Sequence, residues 1–246
     1  MFDISAVLVI TLTFLFAGTV KGVIGLGLPT VSLGLLTVAF DLTSAMALLL
    51  VPSFVTNVWQ ALAGEKTRET FLRIWPFLLA ACATVGVGAA ALTRLDHQWL
   101  SVLLGVLLII YALVSFSGFR LSIGPRYSHW VGVGIGVVNG VLTGMTGSFV
   151  VPGVIYLQAI GLSRDALIQA MGMLFSTSTL TLAIAMQNSS LLTMEYGLVS
   201  CAGLIPVAIG MMAGQRIRRN LSEQRFRMVF FSALLMLGSY IVVTNL

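Results

Sequence analysis

A lysine set against a glycine-rich run is the residue in this chain with the most chemistry to offer. Lys21 directly precedes Gly22-Val-Ile-Gly-Leu-Gly-Leu-Pro29, in a stretch that is otherwise apolar. A lysine at a bilayer centre costs about 2.5–3.5 kcal/mol on insertion scales, so one retained there tends to be functional, and its ammonium attracts an anion. The other reading puts Lys21 at the cytoplasmic end of its segment, with its head among lipid phosphates. A second run, Gly140-Val-Leu-Thr-Gly-Met-Thr-Gly-Ser148, follows Asn139, a neutral donor, where the first follows Lys21. Glycine-rich breaks free backbone N–H groups that lipid cannot satisfy, so they belong where protein or a water-filled cavity surrounds them. A helix starting after each break would aim its positive end at an anion. Alternatively, the glycines only let helices approach closely.

Hydroxyls and amides add to the inventory. Thr56, Asn57 and Gln60 lie in one apolar segment, and Ser176, Thr177, Ser178 and Thr179 in another. Such groups can donate to an oxyanion without carrying charge, although hydroxyls in membrane helices also bond to their own backbone. Together these residues predict an anion site between the two breaks, built from Lys21, Gly25, Gly27, Asn57, Asn139, Thr143, Gly144, Gly147, Ser148 and Thr177.

The elements that must position them are membrane helices. Of 246 residues, 58% are hydrophobic and 9% charged, against about 25% charged in soluble domains. The net charge of +5 comes from basic residues scattered between apolar segments, which sets membrane orientation and gives no nucleic-acid patch. Ten apolar segments are expected: 4–20, 28–40, 42–63, 74–93, 98–118, 129–146, 148–161, 165–187, 193–213 and 228–246. Segments 28–40 and 148–161 are short for a crossing, so each forms a tight hairpin, spanning or re-entrant, with the segment before it. Trp75, Trp99 and Trp130 fall near segment ends, as an aromatic belt would place them, and His97 and His129 are read as solvated loop-edge residues. Cys82 and Cys201 lie inside apolar segments and are read as small buried residues, with no disulfide framework.

The halves repeat. At a shift of 118, Gly18, Val20, Gly22 and Val23 meet Gly136, Val138, Gly140 and Val141; at a shift of 120, Gly27, Val31, Leu42, Leu62, Ala63 and Leu72 meet identical residues. The fold class predicted is an all-α integral membrane protein with two inverted repeats, 1–122 and 123–246, each a glycine-broken hairpin followed by three transmembrane helices. With both termini outside, eleven of the thirteen Lys and Arg residues fall in cytoplasmic loops, Lys66, Arg68, Arg73, Arg120, Arg126 and Arg164 among them. Inverted repeats with broken helices are a recurring plan of secondary transporters, with one repeat rocking against the other and the two break tips meeting near the mid-plane.

Absences narrow the function. The eight acidic residues fall at or near segment ends, so no carboxylate proton relay is evident. There is no metal-ligand cluster, no Ser-His or Cys-His pair with a third partner and no GxxxxGK[ST] loop. An enzyme is therefore not expected, nor a cofactor or metal.

The paired breaks, Gly22–Pro29 and Gly144-Met-Thr-Gly147 running to Val151-Pro152, resemble those of the TauE/SafE family of sulfite and organosulfonate exporters. The turns Asp41-Leu-Thr-Ser-Ala-Met-Ala47 and Leu162-Ser-Arg-Asp-Ala-Leu167 resemble the family's short turn before its next helix, so the match covers both repeats. The resemblance implies a carrier in a bacterial or archaeal inner membrane that exports sulfite, sulfoacetate or a related organosulfonate. Its partners would be that small sulfur-containing anion and the bilayer; no residue pattern specifies an oligomeric state. A transporter or channel for another small anion or metabolite is the alternative, and protons, exchange or a downhill gradient would each serve as the driving force.

Overall fold

The computed structural model describes residues 3–65, 67–118, 121–219 and 222–246, and all regular structure among them is helical. Eleven helices follow in order: α1 (Ile4–Ile24), α2 (Leu28–Ala39), α3 (Leu42–Leu62), α4 (Thr67–Ala89), α5 (His97–Ser117), α6 (Pro125–Thr146), α7 (Gly153–Ala159), α8 (Arg164–Asn188), α9 (Met194–Ala202), α10 (Leu204–Arg218) and α11 (Glu223–Asn245). A 3-10 turn, Ala90–Thr93, extends α4. Seven spans are long and apolar enough to cross a membrane, α9 and α10 counting together as one. The chain is an all-α integral membrane protein. Lys66 and Arg120 lie outside the described residues.

All ten expected segments are present, with shifted ends. α4 begins at Thr67 and α11 at Glu223, earlier than the apolar stretches, because helices continue through Arg68, Glu69 and Arg73, or Arg225 and Arg227, after hydropathy has fallen. The segment 193–213 is two helices parted at Gly203. α2 has 12 residues and α7 only 7, about 18 and 10 Å of helix at 1.5 Å per residue, so neither crosses a ~30 Å hydrocarbon core alone. Cys82 is half-buried but Cys201 is exposed, contrary to expectation; both are free thiols.

Contacts divide the chain into two units, each drawing on both halves of the sequence. The first comprises Met1–Pro52, Asp96–Gly118 and Leu192–Leu246. Here α1 runs parallel to α10 with their backbones in contact. A methyl at Gly18 would strike the carbonyl oxygen of Val207, and one at Gly22 that of Met211; Gly210 and Gly214 meet Leu15 and Thr19 in return. α5 and α11 pack antiparallel, Gly105 on Gly238 and Tyr111 against Phe231. Without a hydrophobic drive between helices in lipid, such small-residue faces gain their stability from close van der Waals contact.

The first half of α3 also belongs to this unit, and it contains Pro52. Proline has no N–H, so the carbonyl of Leu48, four residues back, loses its helical partner. Ser200 of α9 replaces it: its hydroxyl donates to the Leu48 oxygen at 2.7 Å and accepts from the Val51 N–H at 3.1 Å. One turn earlier on both helices, Ser44 Oγ and Tyr196 Oη lie 2.7 Å apart. Since Ser44 donates to Asp41, Tyr196 is the donor in that pair.

The second unit comprises Ser53–Leu95 and Phe119–Leu191. α6 runs parallel to α4, again backbone to backbone: methyls at Gly136, Gly140 and Gly144 would strike the carbonyl oxygens of Phe77, Ala81 and Val85. The second half of α3 packs antiparallel on α8. Gln169, on α8 and 2% exposed, ties the α3–α4 turn down by donating to the carbonyls of Ala61 (2.9 Å) and Gly64 (3.2 Å) and to Thr67 Oγ1 (2.6 Å). Arg73 donates to the carbonyl of Ile160 just beyond α7.

Candidate functional site

Each break follows a helix of full membrane-crossing length, 21 residues for α1 and 22 for α6. The breaks therefore come at the C-terminal ends of these helices, with Gly25 and Gly147 as the capping residues.

In the first unit, α1 stops where Gly25 turns left-handed (φ 77°) and its N–H closes onto the Lys21 carbonyl at 2.8 Å. Gly27, at φ 104°, starts α2 and accepts from Val31 N–H at 2.8 Å. Side chains rarely adopt these dihedrals, which is why glycine stands at both. A methyl at Gly27 would also press on Val20 (3.0 Å) and the Phe230 ring (3.2 Å). Lys21 is 4% exposed and is the one buried charged side chain among the described residues. The seven acidic side chains described, Asp3, Asp41, Glu65, Glu69, Asp96, Asp165 and Glu195, are all exposed. Ser32, Thr37 and Thr43, not singled out from the sequence, have buried hydroxyls without a hydrogen-bond partner.

In the second unit, Gly147 ends α6 in the same left-handed way (φ 70°), its N–H on the Thr143 carbonyl at 2.7 Å. The loop beyond is stitched by side chains. Thr143 donates to the Ser148 carbonyl (3.1 Å), Thr146 accepts from Ser148 N–H (3.2 Å), and Asn139 Oδ1 accepts from Gly153 N–H (2.8 Å). Because a backbone N–H can only donate, that last bond fixes which end of the Asn139 amide is oxygen. Its Nδ2, fully buried, has no partner. Gly144 serves the α4 contact and not the loop.

An anion accepts hydrogen bonds, so what matters is which donors still have a proton to give. Thr143 has spent its own on Ser148, and Thr177 bonds back to Met173 at 2.8 Å. Ser176 bonds back to Gly172 (2.6 Å) and Thr179 to Phe175 (2.6 Å). Asn57 donates to Ser53 (3.0 Å), which in turn donates to Thr179 (3.3 Å). In that row of hydroxyls only Ser178, fully buried on α8, has no partner. It stands one turn beyond Leu174, whose side chain packs with Asn139 on Gly153. The second unit thus brings Asn139, Thr143, Gly147 and Ser148 together at its break, and leaves unpaired donor capacity on Asn139 and Ser178.

The described residues contain no group of three or more His, Cys, Asp or Glu able to hold a metal. The family model described as Sulfite exporter TauE/SafE matches residues 10–241. Neither a curated protein nor a solved structure matches the chain. Seven crossing helices, paired glycine breaks and a family match over nearly the whole length agree: the chain belongs to the TauE/SafE sulfite exporter family, whose members are membrane transporters and not enzymes.

Proposed function

We propose that this chain exports a small sulfur-containing oxyanion, sulfite, sulfoacetate or a related organosulfonate, from the cytoplasm of a bacterium or archaeon by alternating access. The observation that carries this reading, with the family, is which ionisable side chain is buried: it is the basic Lys21, and every described carboxylate is exposed. An ammonium in a low-dielectric setting attracts an anion strongly. Asn139 Nδ2 and Ser178 Oγ are the neutral donors with capacity left to offer an anion.

The helix registers support an inverted duplication of 1–122 and 123–246. Gly18–Val207 and Gly22–Met211 in one unit repeat as Gly136–Phe77 and Gly140–Ala81 in the other. Hairpin positions shift by 118 and partner positions by 130, a shift that also relates Pro76 to Pro206. In the first unit the break shares an end with Arg216 and Arg218. In the second it lies at the opposite end from Arg68 and Arg126, as an inverted copy requires. The positive-inside rule assigns those basic ends to the cytoplasm and both termini to the outside.

The test is binding of sulfite, sulfoacetate and a matched carboxylate to purified wild type and Lys21→Met, read by thermal shift. Stabilisation by the sulfur oxyanions that vanishes in the variant is expected. Equal stabilisation of both proteins removes Lys21 as a ligand, and no stabilisation by any sulfur oxyanion points to another substrate.

A further inference from the structure

We infer that the first unit carries an anionic-phospholipid site at the α5–α11 end, apart from the glycine breaks. A recess of about 480 Å³ opens there, lined by Ser115 and Phe116 of α5 and by Gln224, Arg227, Met228 and Phe231 of α11. Arg227 and Gln224 lie in the first two turns of α11, and Ser115 in the last turn of α5. The polar part of the recess therefore sits at the helix ends, where headgroups lie, and not in the hydrocarbon.

Two features select the ligand. The first is a positioned cation. The Arg227 guanidinium lies 5.9 Å from the Phe231 ring centroid, and Phe231 is itself wedged edge-on against Tyr111 (5.3 Å) and Phe116 (6.1 Å). Stacking on a buried ring limits where the guanidinium can swing, and its planar fork matches two oxygens of a phosphate. Gln224 and Ser115 add neutral donors. The second is an apolar wall: of the lining residues, Phe116 is 43% and Met228 50% exposed. A soluble oxyanion would cover none of that surface, whereas the acyl chain of a lipid whose phosphate meets Arg227 would lie along it. Basic pockets between helices on the cytoplasmic side suit such headgroups.

The experiment uses the full chain in detergent, melted with added phosphatidylglycerol, phosphatidylcholine or inorganic phosphate. Phosphatidylglycerol is expected to raise the melting temperature, and the other two are not. Arg227→Gln should bind phosphatidylglycerol about tenfold more weakly, the loss of one charge-assisted contact. Arg225→Gln, which removes the same charge from outside the recess, should bind as wild type. Arg227→Lys, the conservative variant, is read in the same titration as a check on folding and should fall between Gln and wild type. Equal losses at Arg225 and Arg227 would mean diffuse charge attraction and overturn the site. Unchanged binding in both Arg227 variants would overturn it too, and a shift from inorganic phosphate alone would overturn the lipid as its ligand.

Discussion

Ser200 should be worth more to this protein than a serine in a membrane helix usually is, and the reason can be isolated. Its hydroxyl donates at 2.7 Å to the Leu48 carbonyl, which Pro52 leaves without a helical N–H. Ser200 is 1% exposed, so no water replaces it when it is removed. An unsatisfied buried carbonyl costs about 1–3 kcal/mol, while side-chain hydrogen bonds in membranes average about 0.6 kcal/mol. Ser200→Ala is therefore expected to destabilise by about 1–2 kcal/mol. Pro52→Ala supplies the missing N–H, so in that background the Leu48 carbonyl keeps a partner and Ser200→Ala should cost only about 0.5 kcal/mol. The double-mutant cycle then yields a coupling of about 1 kcal/mol. Denaturant titration of the four purified proteins in mixed micelles, followed by tryptophan fluorescence, measures it. A Ser200→Ala cost that is the same with proline or alanine at position 52 would refute the argument, because the hydroxyl would then not be standing in for the absent N–H.

Other expectations are simpler. Gly88→Ala should destabilise by about 2 kcal/mol or more, since the new methyl would meet the Val141 carbonyl. Gly86→Ala, two residues away in open space, should be neutral or stabilising by up to about 1 kcal/mol through helix propensity; melting both variants checks the pair. Ser178→Ala should leave the melting temperature unchanged, because its hydroxyl has no partner to lose, yet weaken sulfite binding several-fold. Asn139→Asp keeps an acceptor for Gly153 N–H but replaces the spare donor with negative charge, so anion-dependent stabilisation should disappear in the same thermal-shift titration.

The ten apolar segments were legible because lipid demands long apolar runs, and the two short segments stand out by length alone. Helix ends were not: α4 extends seven residues before Ile74, through charges that hydropathy counts against it. The glycines show a finer limit. Gly22, Gly140 and Gly144 are spaced four apart or in line with others that are, and the structure assigns them to backbone contacts. Gly25, Gly27 and Gly147 instead take left-handed turns. Nothing in the letter G separates the two uses. The spent protons of Thr143 and Thr177 were equally hidden, as was the bond from Ser200 to Leu48, whose partners lie 152 residues apart. Lys21 could be picked out from sequence because a charge in an apolar run is rare; its burial is what the structure adds.

The interleaving of the two units also sets an order of assembly. Every residue of the second unit precedes Leu192, so this unit has all its partners before Leu192–Leu246 is made. The first unit waits for them. α6 meets α4 across 59 positions, as in Gly140 and Ala81, whereas α1 meets α10 across 189, as in Gly22 and Met211. At ~5–20 residues per second the first partnership is available within about 3–12 s and the second only after about 10–40 s. Helix α1 thus waits for α10 long after it has been made, and for that interval its glycine face and Lys21 must be tolerated by lipid or held by the insertion machinery. Mutations on the α1–α10 seam should consequently act during biogenesis, lowering the amount of protein inserted, even where the finished transporter would bear them.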